Sequence, residues 1–531
     1  MVTALSSHKP VTPMSAVDLF SGAGGFSLGL RRAGFNVVLA NEASVDAEWT
    51  YRANLLPPEA TPNLPGWQSC GDRRRAFVDR GRQAILALRQ GGPTANRCMV
   101  GGDIAEVLSD QWLESWLSRT ASEVDLLVAG PPCQGFSVAG SRADHDARND
   151  LIHEAVRVIE KIRPRTAVIE NVPGLLARRS DILHKVGLAL SRLEPTPYSV
   201  CIDLLDCSRF GVPQTRKRII MVAIRSDLLA PDVGPERLHS LVFPVACPST
   251  RGQDPMAFAG SGDSPVPSGT TLSSCAVLED LAIDPPSFHD GLQSTAHAIP
   301  LNPENTFLSE IRTPRDAYLA GATVSERELV VSECLNHESS VHRESVRRRM
   351  RALRNQATTS QEAIGHRCSS TWLMQRVVKR HPDLKTSKRA QRVLLPNEWP
   401  MLTVTSLPDD IVHFEADRIP TVREVARLQT FPDWFAFFGV RTSGDERRAA
   451  GIHVPQYTQV ANAVPARLAH AVAARLRQFL LRVEADPSCS FELEPGPHVS
   501  DSNGTTARRL DQLNATFVQA AERKKQGQRN E

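Results

Sequence analysis

Cysteine patterns that mark a metal site or a disulfide framework are missing from this sequence. Its ten cysteines are scattered over 531 residues from Cys70 to Cys489, with no CxxC pair and no short cysteine–histidine cluster. Because zinc sites need closely spaced ligands, we predict that the protein uses no metal. The irregular spacing also argues against structural disulfides, so we predict a reducing, cytoplasmic environment.

Long hydrophobic runs are missing as well. No stretch is long enough to span a bilayer, and the first residues lack the apolar core of a signal peptide, so we predict no membrane partner. The formal net charge is only +3. The chain as a whole is therefore not a polycation, and any surface for nucleic acid must be a local patch.

What the sequence does contain is an alternation of strand-like and helix-like segments. Residues 16–20 form an apolar strand candidate, followed by a glycine-rich turn, a predicted helix at 26–33 and a second strand at 35–40. The alternation continues with strands at 124–129, 166–169 and 218–224 and a helix at 151–162. Strands that alternate with helices predict an α/β fold with a doubly wound, mostly parallel, Rossmann-like sheet.

The glycine-rich turn after the first strand predicts a nucleoside site of an unusual kind. Dinucleotide sites use GxGxxG, whereas Gly22, Gly24 and Gly25 are followed by Ser27 where the third glycine is expected. This spacing argues against a pyrophosphate and is compatible with an adenosyl amino acid. An ordinary strand-to-helix turn is the alternative.

Two acidic residues at later strand ends extend this prediction. Glu42 ends the second strand, where a carboxylate can accept hydrogen bonds from ribose hydroxyls. Asp103 follows two glycines, where an acid can bind an adenine amino group. For each residue taken alone, a solvated loop position or a helix cap is the alternative.

The most specific signal is the run GPPCQGFS at 130–137, directly after the strand candidate at 125–129. The carboxyl end of a parallel strand is where such sheets bind ligands, and the prolines restrict the loop. A lone cysteine is most often a small buried hydrophobe. That alternative fits poorly in a proline-rich polar loop, so Cys133 is a candidate nucleophile.

With these residues and four further motifs, the sequence resembles the DNA cytosine-5 methyltransferase family of the bacterial, restriction–modification type. The motifs are DLFSGAGGFSLGL at 18–30, GPPCQGFS at 130–137, ENV at 170–172, QTRKR at 214–218, TVREVARLQTFP at 421–432 and QVANAVP at 459–465. They occur in the family's order, and the resemblance spans about 17–473 apart from a long middle segment.

The resemblance implies an enzyme that transfers a methyl group from S-adenosylmethionine to carbon 5 of a cytosine flipped out of a specific duplex sequence. The Cys133 thiolate would add to carbon 6 of the base, which makes carbon 5 nucleophilic. Glu170 would stabilise the ring near N3, and Asn171 would shape its loop. Arg216 and Arg218 would supply positive charge to the thiolate or contact DNA.

Matching the motifs position by position implies the remaining site residues. The implied cofactor-binding residues are Phe20, Gly22, Gly24, Gly25, Glu42, Asp103, Ile104, Pro132, Leu151, Asn462 and Val464, and the implied DNA-binding residues are Gln134, Ser137 and Gln214. Two positions depart from the family pattern. Ala43 stands where an aromatic residue often packs on the adenine, and Ala461 stands where a glycine commonly precedes the asparagine.

The same resemblance divides the chain into segments. We predict a lead-in at 1–14, a catalytic domain at 15–232 with a surface insertion at about 50–97, a smaller irregular target-recognition domain at 233–420, C-terminal motifs at 421–482 that return to the catalytic domain, and a disordered tail at 495–531. A basic predicted helix at 341–354 is a candidate for phosphate contacts. Arg423 and Glu424 are expected to form an internal ion pair.

The predicted partner is double-stranded DNA, with a cognate restriction endonuclease acting separately and the protein itself a monomer. The alternatives are a tRNA cytosine-5 methyltransferase, a non-enzymatic DNA-binding protein and a nicotinamide oxidoreductase. The long middle segment and the loop at 130–137 favour DNA over tRNA. Intact Cys133, Glu170 and Arg216 favour an enzyme, and the glycine spacing disfavours a nicotinamide cofactor.

Overall fold

The computed structural model describes most of the segments that carry the motifs. The described residues are 13–57, 74–90, 98–120, 123–132, 151–230, 233–244, 278, 310–320, 336, 342–359, 377, 379–381, 392–393, 403–413, 415–442, 453–486 and 504–527. Three predicted site residues, Cys133, Gln134 and Ser137, lie outside these ranges.

A seven-stranded sheet forms the centre of the described structure. Its strands are β1 (Met14–Leu19), β2 (Phe35–Glu42), β3 (Met99–Gly101), β4 (Leu126–Ala129), β5 (Thr166–Asn171), β6 (Tyr198–Asp206) and β7 (Lys217–Arg225). Their order is β3-β2-β1-β4-β5-β7-β6. The first five strands of this order pair in parallel, whereas β7 is antiparallel to both β5 and β6. The predicted mostly parallel sheet is confirmed.

Helices cover both faces of this sheet. They are α1 (Gly25–Arg32), α2 (Val45–Leu55), α3 (Arg74–Gln90), α4 (Ile104–Val107), α5 (Asp110–Arg119), α6 (Leu151–Ile162), α7 (Pro173–Arg178), α8 (Ser180–Ser191), α9 (Pro235–Val242), α10 (Arg315–Leu319), α11 (Glu344–Thr359), α12 (Val422–Leu428), α13 (Gln456–Asn462), α14 (Ala466–Ala485) and α15 (Gly504–Gly527). The predicted bounds of α6 agree with the structure at both ends.

Alternate side chains of each strand enter two separate hydrophobic cores, as the period of two in a strand requires. On β1, Ala16 belongs to the core shared with α1, α12 and α14. The next residue, Val17, belongs to the core shared with α6, α8 and α15. Ligands of doubly wound sheets bind at the carboxyl ends of the strands, which lie between these two cores.

The C-terminal helix α14 completes the first of these cores although it lies far from α1 in sequence. An added Cβ at Gly29 of α1 would lie 2.5 Å from the Cβ of Ala469, so the two helices pack in direct backbone contact. This closeness explains why a glycine stands at position 29. The predicted return of the C-terminal motifs to the catalytic domain is compatible with this packing.

Two sequence-based expectations about the periphery are wrong. The tail predicted to be disordered contains α15, whose Leu510, Leu513 and Phe517 are buried in the second core. The first residues of the predicted surface insertion belong to α2, where Tyr51 and Leu55 are buried. In both segments the charged and polar composition masked a helix with a buried face.

In the predicted target-recognition segment, the structure describes only short stretches. They include α9, α10, α11, a one-turn 3₁₀ helix at Pro408–Asp410 and a small parallel pair of strands, β8 (Arg392–Val393) and β9 (Ile411–Val412). The predicted basic helix is present as α11. The proposed domain boundaries stay predictions.

Candidate active site at the carboxyl edge of the sheet

The turn between β1 and α1 forms the first part of the site. Phe20, Gly22 and Gly24 have left-handed φ values of 56°, 55° and 99°, a region that favours glycine and strains other residues. The Gly22 N–H donates to Oε2 of Glu42 at 2.8 Å, and the Ser44 N–H donates to Oε1 at 2.7 Å. The predicted glycine turn and Glu42 are therefore brought together.

Glu42 is fixed by these bonds yet can still accept others. Each carboxylate oxygen has two acceptor positions, and the two backbone N–H groups use one on each. Burial raises the pKa of Glu42, and the two backbone N–H bonds act against that rise. A Cβ added at Gly22 would meet nothing within 4 Å, so the space above the turn is open. These residues fit an adenosyl group that has two ribose hydroxyls and no phosphate.

The neighbouring strand end carries Asp103 and Ile104. Asp103 is exposed and caps α4, where its Oδ1 accepts from the Ala105 N–H at 3.0 Å. Ile104 is buried in the second core. The Gly102 N–H donates to the Glu42 carbonyl at 2.9 Å, which ties this turn to the end of β2. Asp103 is therefore a helix cap, as the alternative interpretation expected. The cap uses only Oδ1, so Oδ2 stays available to a ligand.

The C-terminal motif QVANAVP at 459–465 lies next to the glycine turn. A Cβ added at Gly25 would lie 2.4 Å from the carbonyl oxygen of Val464, so only glycine fits there. Asn462 is exposed at the end of α13. The predicted cofactor residues Phe20 and Leu151 are partly buried against the second core. Residues from the N-terminal and C-terminal motifs therefore meet across more than 400 positions of sequence.

The ends of β4 and β5 form the other half of the site. β4 pairs with β5, so the start of the cysteine-bearing loop lies beside Glu170 and Asn171. The Asn171 side chain donates from Nδ2 to the Pro131 carbonyl at 3.4 Å and accepts the Val172 N–H at Oδ1, 2.8 Å away. Asn171 thus joins the start of the loop to β5, and its predicted shaping role stays a prediction.

Glu170 is oriented by an arginine on the next strand. Nε of Arg218 lies 2.7 Å from Oε1 of Glu170, and both side chains are about nine-tenths buried. A Cβ added at Gly130 would lie 3.7 Å from Oε2. The second carboxylate oxygen therefore faces the start of the loop at 130–137.

Arg216 is a buried cation beside this pair. Its Nη2 donates to the Ala463 carbonyl at 3.3 Å, and no carboxylate of the described residues lies within ion-pair distance. Burial and the charge of Arg218 lower the pKa of Arg216 to about 9, so it remains protonated at neutral pH. A buried cation without a carboxylate partner is costly in isolation. Its position suits an anionic or polar ligand.

Gln214 does not have the predicted role. The residue is fully buried; Nε2 donates to the Leu428 carbonyl at 2.6 Å, and Oε1 accepts the Val404 N–H at 3.1 Å. Nε2 also donates to Oε1 of Gln429 at 2.9 Å. The predicted DNA contact of this side chain is contradicted, because its amide is used between segments of the protein.

Gln429 is a structural residue of the site that sequence reasoning missed. Its Nε2 donates to the carbonyls of Val460, Ala461 and Ala463, at 2.8, 3.3 and 3.3 Å. The residue belongs to a motif already recognised, but a side-chain amide gives no sequence signal of which carbonyls it will bind. Gln429 holds the segment that carries Asn462 in place.

The expected ion pair between Arg423 and Glu424 is also wrong. Glu424 is bound by Arg418, with Nη1–Oε2 and Nη2–Oε1 distances of 2.8 Å, and it completes a capping box with Thr421. Arg423 donates to the carbonyls of Pro432 and Phe435 at 2.8 and 2.5 Å. Adjacent helix residues point in different directions, so each finds its own partner.

Arg351 and Arg354, at the C-terminal end of the basic stretch 343–354, share one carboxylate partner. Arg351 Nε donates to Oδ2 of Asp417 at 2.7 Å, and Arg354 Nη1 lies 3.0 Å from Oδ1 of the same carboxylate. Arg343, Arg347 and Arg348 are exposed. The phosphate contacts of this basic stretch stay a prediction.

In the described parts of the chain, no group of three or more His, Cys, Asp or Glu side chains is placed to hold a metal ion. No helix there combines the length and apolar character needed to cross a membrane.

The sheet order is that of a Rossmann-like methyltransferase. The carboxyl edge of this sheet carries Glu42 beside the glycine turn and Glu170 beside the start of the loop at 130–137. The sequence profile of the family C-5 cytosine-specific DNA methylase matches residues 14–63 and 94–478. The chain belongs to this family and is a DNA cytosine-5 methyltransferase, as the sequence motifs predicted.

Individual relatives agree with this assignment. Type II methyltransferase M.DdeI of Desulfomicrobium norvegicum is 27% identical over 467 residues, which cover 87% of this chain and 88% of that protein. Type II methyltransferase M1.HphI of Haemophilus parahaemolyticus is 27% identical over 464 residues, covering 87% and 86%. A crystal structure described as a prophage-encoded DNA modification methyltransferase of E. coli matches the fold with a TM-score of 0.55 at 21% identity, covering 88% of this chain and 99% of that chain.

Proposed function

We propose that the Cys133 thiolate adds to carbon 6 of a cytosine flipped out of a specific duplex sequence, with Glu170 and Arg218 holding the pyrimidine. The observation that carries the proposal is the Arg218–Glu170 pair, whose Nε–Oε1 distance of 2.7 Å fixes one carboxylate oxygen. The other oxygen faces the start of the loop that bears Cys133. An oriented carboxylate beside a nucleophile is the arrangement that covalent catalysis on a base requires.

The cofactor proposed for the open turn is S-adenosylmethionine. When bound, it supplies an electrophilic methyl group on a sulfonium. Glu42 would accept the ribose hydroxyls and Asp103 the adenine amino group, while Gly22 leaves room for the nucleoside. Phe20, Pro132, Leu151, Asn462 and Val464 would line the rest of this pocket.

Arg216 and Arg218 would serve the DNA side of the site. A buried guanidinium near a cysteine favours the thiolate form, which is the reactive nucleophile. Exposed arginines on α11 would bind phosphates of the duplex, a sequence-independent contribution that weakens as salt rises. Gln134 and Ser137, which flank Cys133, are proposed to contact the DNA around the flipped base.

The relatives' names suggest the biological setting. Both relatives are named Type II methyltransferases, so we propose that this chain protects DNA against a separate restriction endonuclease of the same specificity. We also propose that it acts as a monomer. Bisulfite sequencing of DNA from cells that express the protein would identify the methylated sequence.

The chemistry is tested by trapping the covalent adduct. In the presence of S-adenosylmethionine, a duplex with 5-fluorocytosine at the target position should give a denaturant-stable complex with the wild-type protein. After methyl transfer, carbon 5 carries fluorine instead of a removable proton, so the bond from Cys133 to carbon 6 cannot be eliminated. Cys133→Ser should give no such complex and should lose at least about 10³-fold in turnover, within the range typical of nucleophile loss.

Cys98→Ser is the matched control, since Cys98 is a free, partly buried thiol. It should keep both turnover and adduct formation. Near-normal turnover by Cys133→Ser, or adduct formation that survives this substitution, would contradict the proposed mechanism.

A further inference from the structure

The helix α3 (Arg74–Gln90) lies in residues 64–93, which the family profile does not match. The structure nevertheless packs it tightly on α2. Arg82 binds Asp46 through two bonds, Nε–Oδ1 at 2.8 Å and Nη2–Oδ2 at 2.9 Å, with the Asp46 side chain fully buried. A Cβ added at Gly81 would lie 2.1 Å from the ring of Trp49. This helix is therefore an integral part of the domain.

Arg89 lies two helical turns after Arg82, on the same side of α3. Its Nε donates to Oε2 of the fully buried Glu48 at 2.7 Å. Its Nη2 donates to the Ala43 carbonyl at 2.9 Å and lies 3.4 Å from the Glu42 carbonyl. One guanidinium thus joins α3 to α2 and to the end of β2.

The same guanidinium also touches the end of β3. A Cβ added at Gly101 would lie 2.5 Å from Nε of Arg89 and 1.9 Å from Oε2 of Glu48, so any larger residue would displace the pair. Gly101 directly precedes the turn that carries Asp103. Arg89 therefore contacts both strand ends that hold the acidic residues of the nucleoside site.

We propose that Arg89 is a positioning residue that sets the affinity for the adenosyl group of the methyl donor. By fixing the Glu42–Ala43 backbone against Gly101, it would hold the Glu42 carboxylate in the orientation that accepts the ribose hydroxyls. Ala43 has no ring to pack on an adenine, so binding depends more on this carboxylate. The proposal rests on the proposed function, which places the donor over Glu42.

Arg89→Lys is the discriminating variant. Lysine keeps the positive charge and can pair with Glu48, but a single ammonium cannot reproduce the planar fork that reaches Glu48 and Ala43 together. We expect the dissociation constant for S-adenosylhomocysteine, measured by calorimetry on the full chain, to rise about tenfold, as for loss of one charge-assisted hydrogen bond. The KM for S-adenosylmethionine should rise similarly, with kcat and the KM for DNA unchanged.

Arg82→Lys is the matched control, because it makes the same change on the same helix in the pair with Asp46. It should lower the thermal midpoint of unfolding while the dissociation constant for S-adenosylhomocysteine stays within about twofold of wild type. Unchanged binding by Arg89→Lys, or equal weakening by both variants, would overturn the positioning role. A wild-type chain that binds no S-adenosylhomocysteine would overturn both this proposal and the proposed function.

Discussion

At the scale of single residues, Asp18 is a buried acid whose charge is determined by its surroundings. Asp18, the last residue but one of β1, is 1% exposed. The Ser27 hydroxyl donates to its Oδ2 at 2.6 Å, and Ser27 Oγ also lies 2.8 Å from the Tyr51 hydroxyl. Burial raises the pKa of Asp18 to about 7, with the nearby charge of Glu42 adding to the rise. Asp18 is thus a buried acid that titrates near neutral pH.

The stability of the protein should therefore depend on pH through Asp18. The folded state keeps this proton until about pH 7, whereas the unfolded chain releases it near 3.8. The stability given by the protonated carboxyl is fully present below about pH 4 and is lost as pH rises through 7. Asn at position 18 does not titrate, so Asp18→Asn should not show this loss. The free energy of unfolding of the variant, relative to that of wild type, should therefore increase as pH rises from 5 to 8.

Urea unfolding at several pH values measures this difference. Gln512→Leu, at an exposed position of α15, removes no titratable group, so it serves as the control and should show a constant difference from wild type. A constant difference for Asp18→Asn over the same range would show that Asp18 is ionised throughout and that the predicted linkage is wrong.

At the scale of elements, α15 lies against β6, an edge strand of the sheet. β6 is the last strand of the sheet order, and the Asn514 side chain bonds both backbone groups of Ile202 on it. The Ile202 N–H donates to Oδ1 at 2.9 Å, and Nδ2 donates to the Ile202 carbonyl at 3.1 Å. Phe517 packs on Gly187 of α8, where an added Cβ would lie 2.2 Å from its ring. Edge strands left open are prone to pair with other chains.

Asn514→Leu should lower the free energy of unfolding by about 1–3 kcal/mol, because two buried backbone groups lose their partner. Gln512→Leu makes the same kind of change at an exposed position of the same helix and should cost less than about 0.5 kcal/mol. Urea unfolding of both variants checks the difference. Equal stability of the two variants would show that α15 does not hold the edge.

The sequence predicted most elements of the parallel half of the sheet, because apolar strand and helix periods are local signals. It did not predict β6, since a strand such as YSVCIDLLD shows no clear alternation and is defined by its pairing with β7. The helix α15 did carry a signal: Leu510, Leu513 and Phe517 recur at helical spacing. The polar composition around them outweighed it.

In the candidate site, too, features with a local sequence signal could be predicted, whereas features that depend on tertiary contacts could not. Strand ends can be located from sequence, so the positions of Glu42, Glu170 and Asn171 at the carboxyl edge of the sheet were predictable, while their roles stay predictions. The roles of Gln214 and Arg423 were wrong, since the direction in which a polar side chain points is decided by tertiary contacts. Arg89 had no local signal, because its three contacts come from three different segments.

At the scale of the whole molecule, one buried carboxylate joins the middle segment to both ends of the catalytic domain. Oε2 of Glu310 lies 2.5 Å from Nη2 of Arg467 on α14, and Oε1 lies 3.5 Å from Nη1 of Arg32 on α1. Together with burial, the nearby arginines lower the pKa of His470 to about 3, so this histidine is neutral. The cluster therefore holds two cations against a single anion.

Glu310→Gln should destabilise the protein by about 3–5 kcal/mol, because it leaves two buried guanidinium groups without their anion. Asp316→Asn, at an exposed position six residues later, should change stability by less than about 0.5 kcal/mol. Thermal unfolding followed by circular dichroism measures both. A Glu310→Gln protein as stable as wild type would show that this carboxylate does not hold the segments together.

The backbone contact between Gly29 and Ala469 has a consequence for biosynthesis. While the ribosome is still translating the middle of the message, α1 can pack on β1 and β2, but the side of α1 that faces Ala469 lacks its partner. The first core can close only after residue 469 has left the exit tunnel. Until then the nascent chain exposes this apolar surface, which is the kind of surface that promotes aggregation and that chaperones cover.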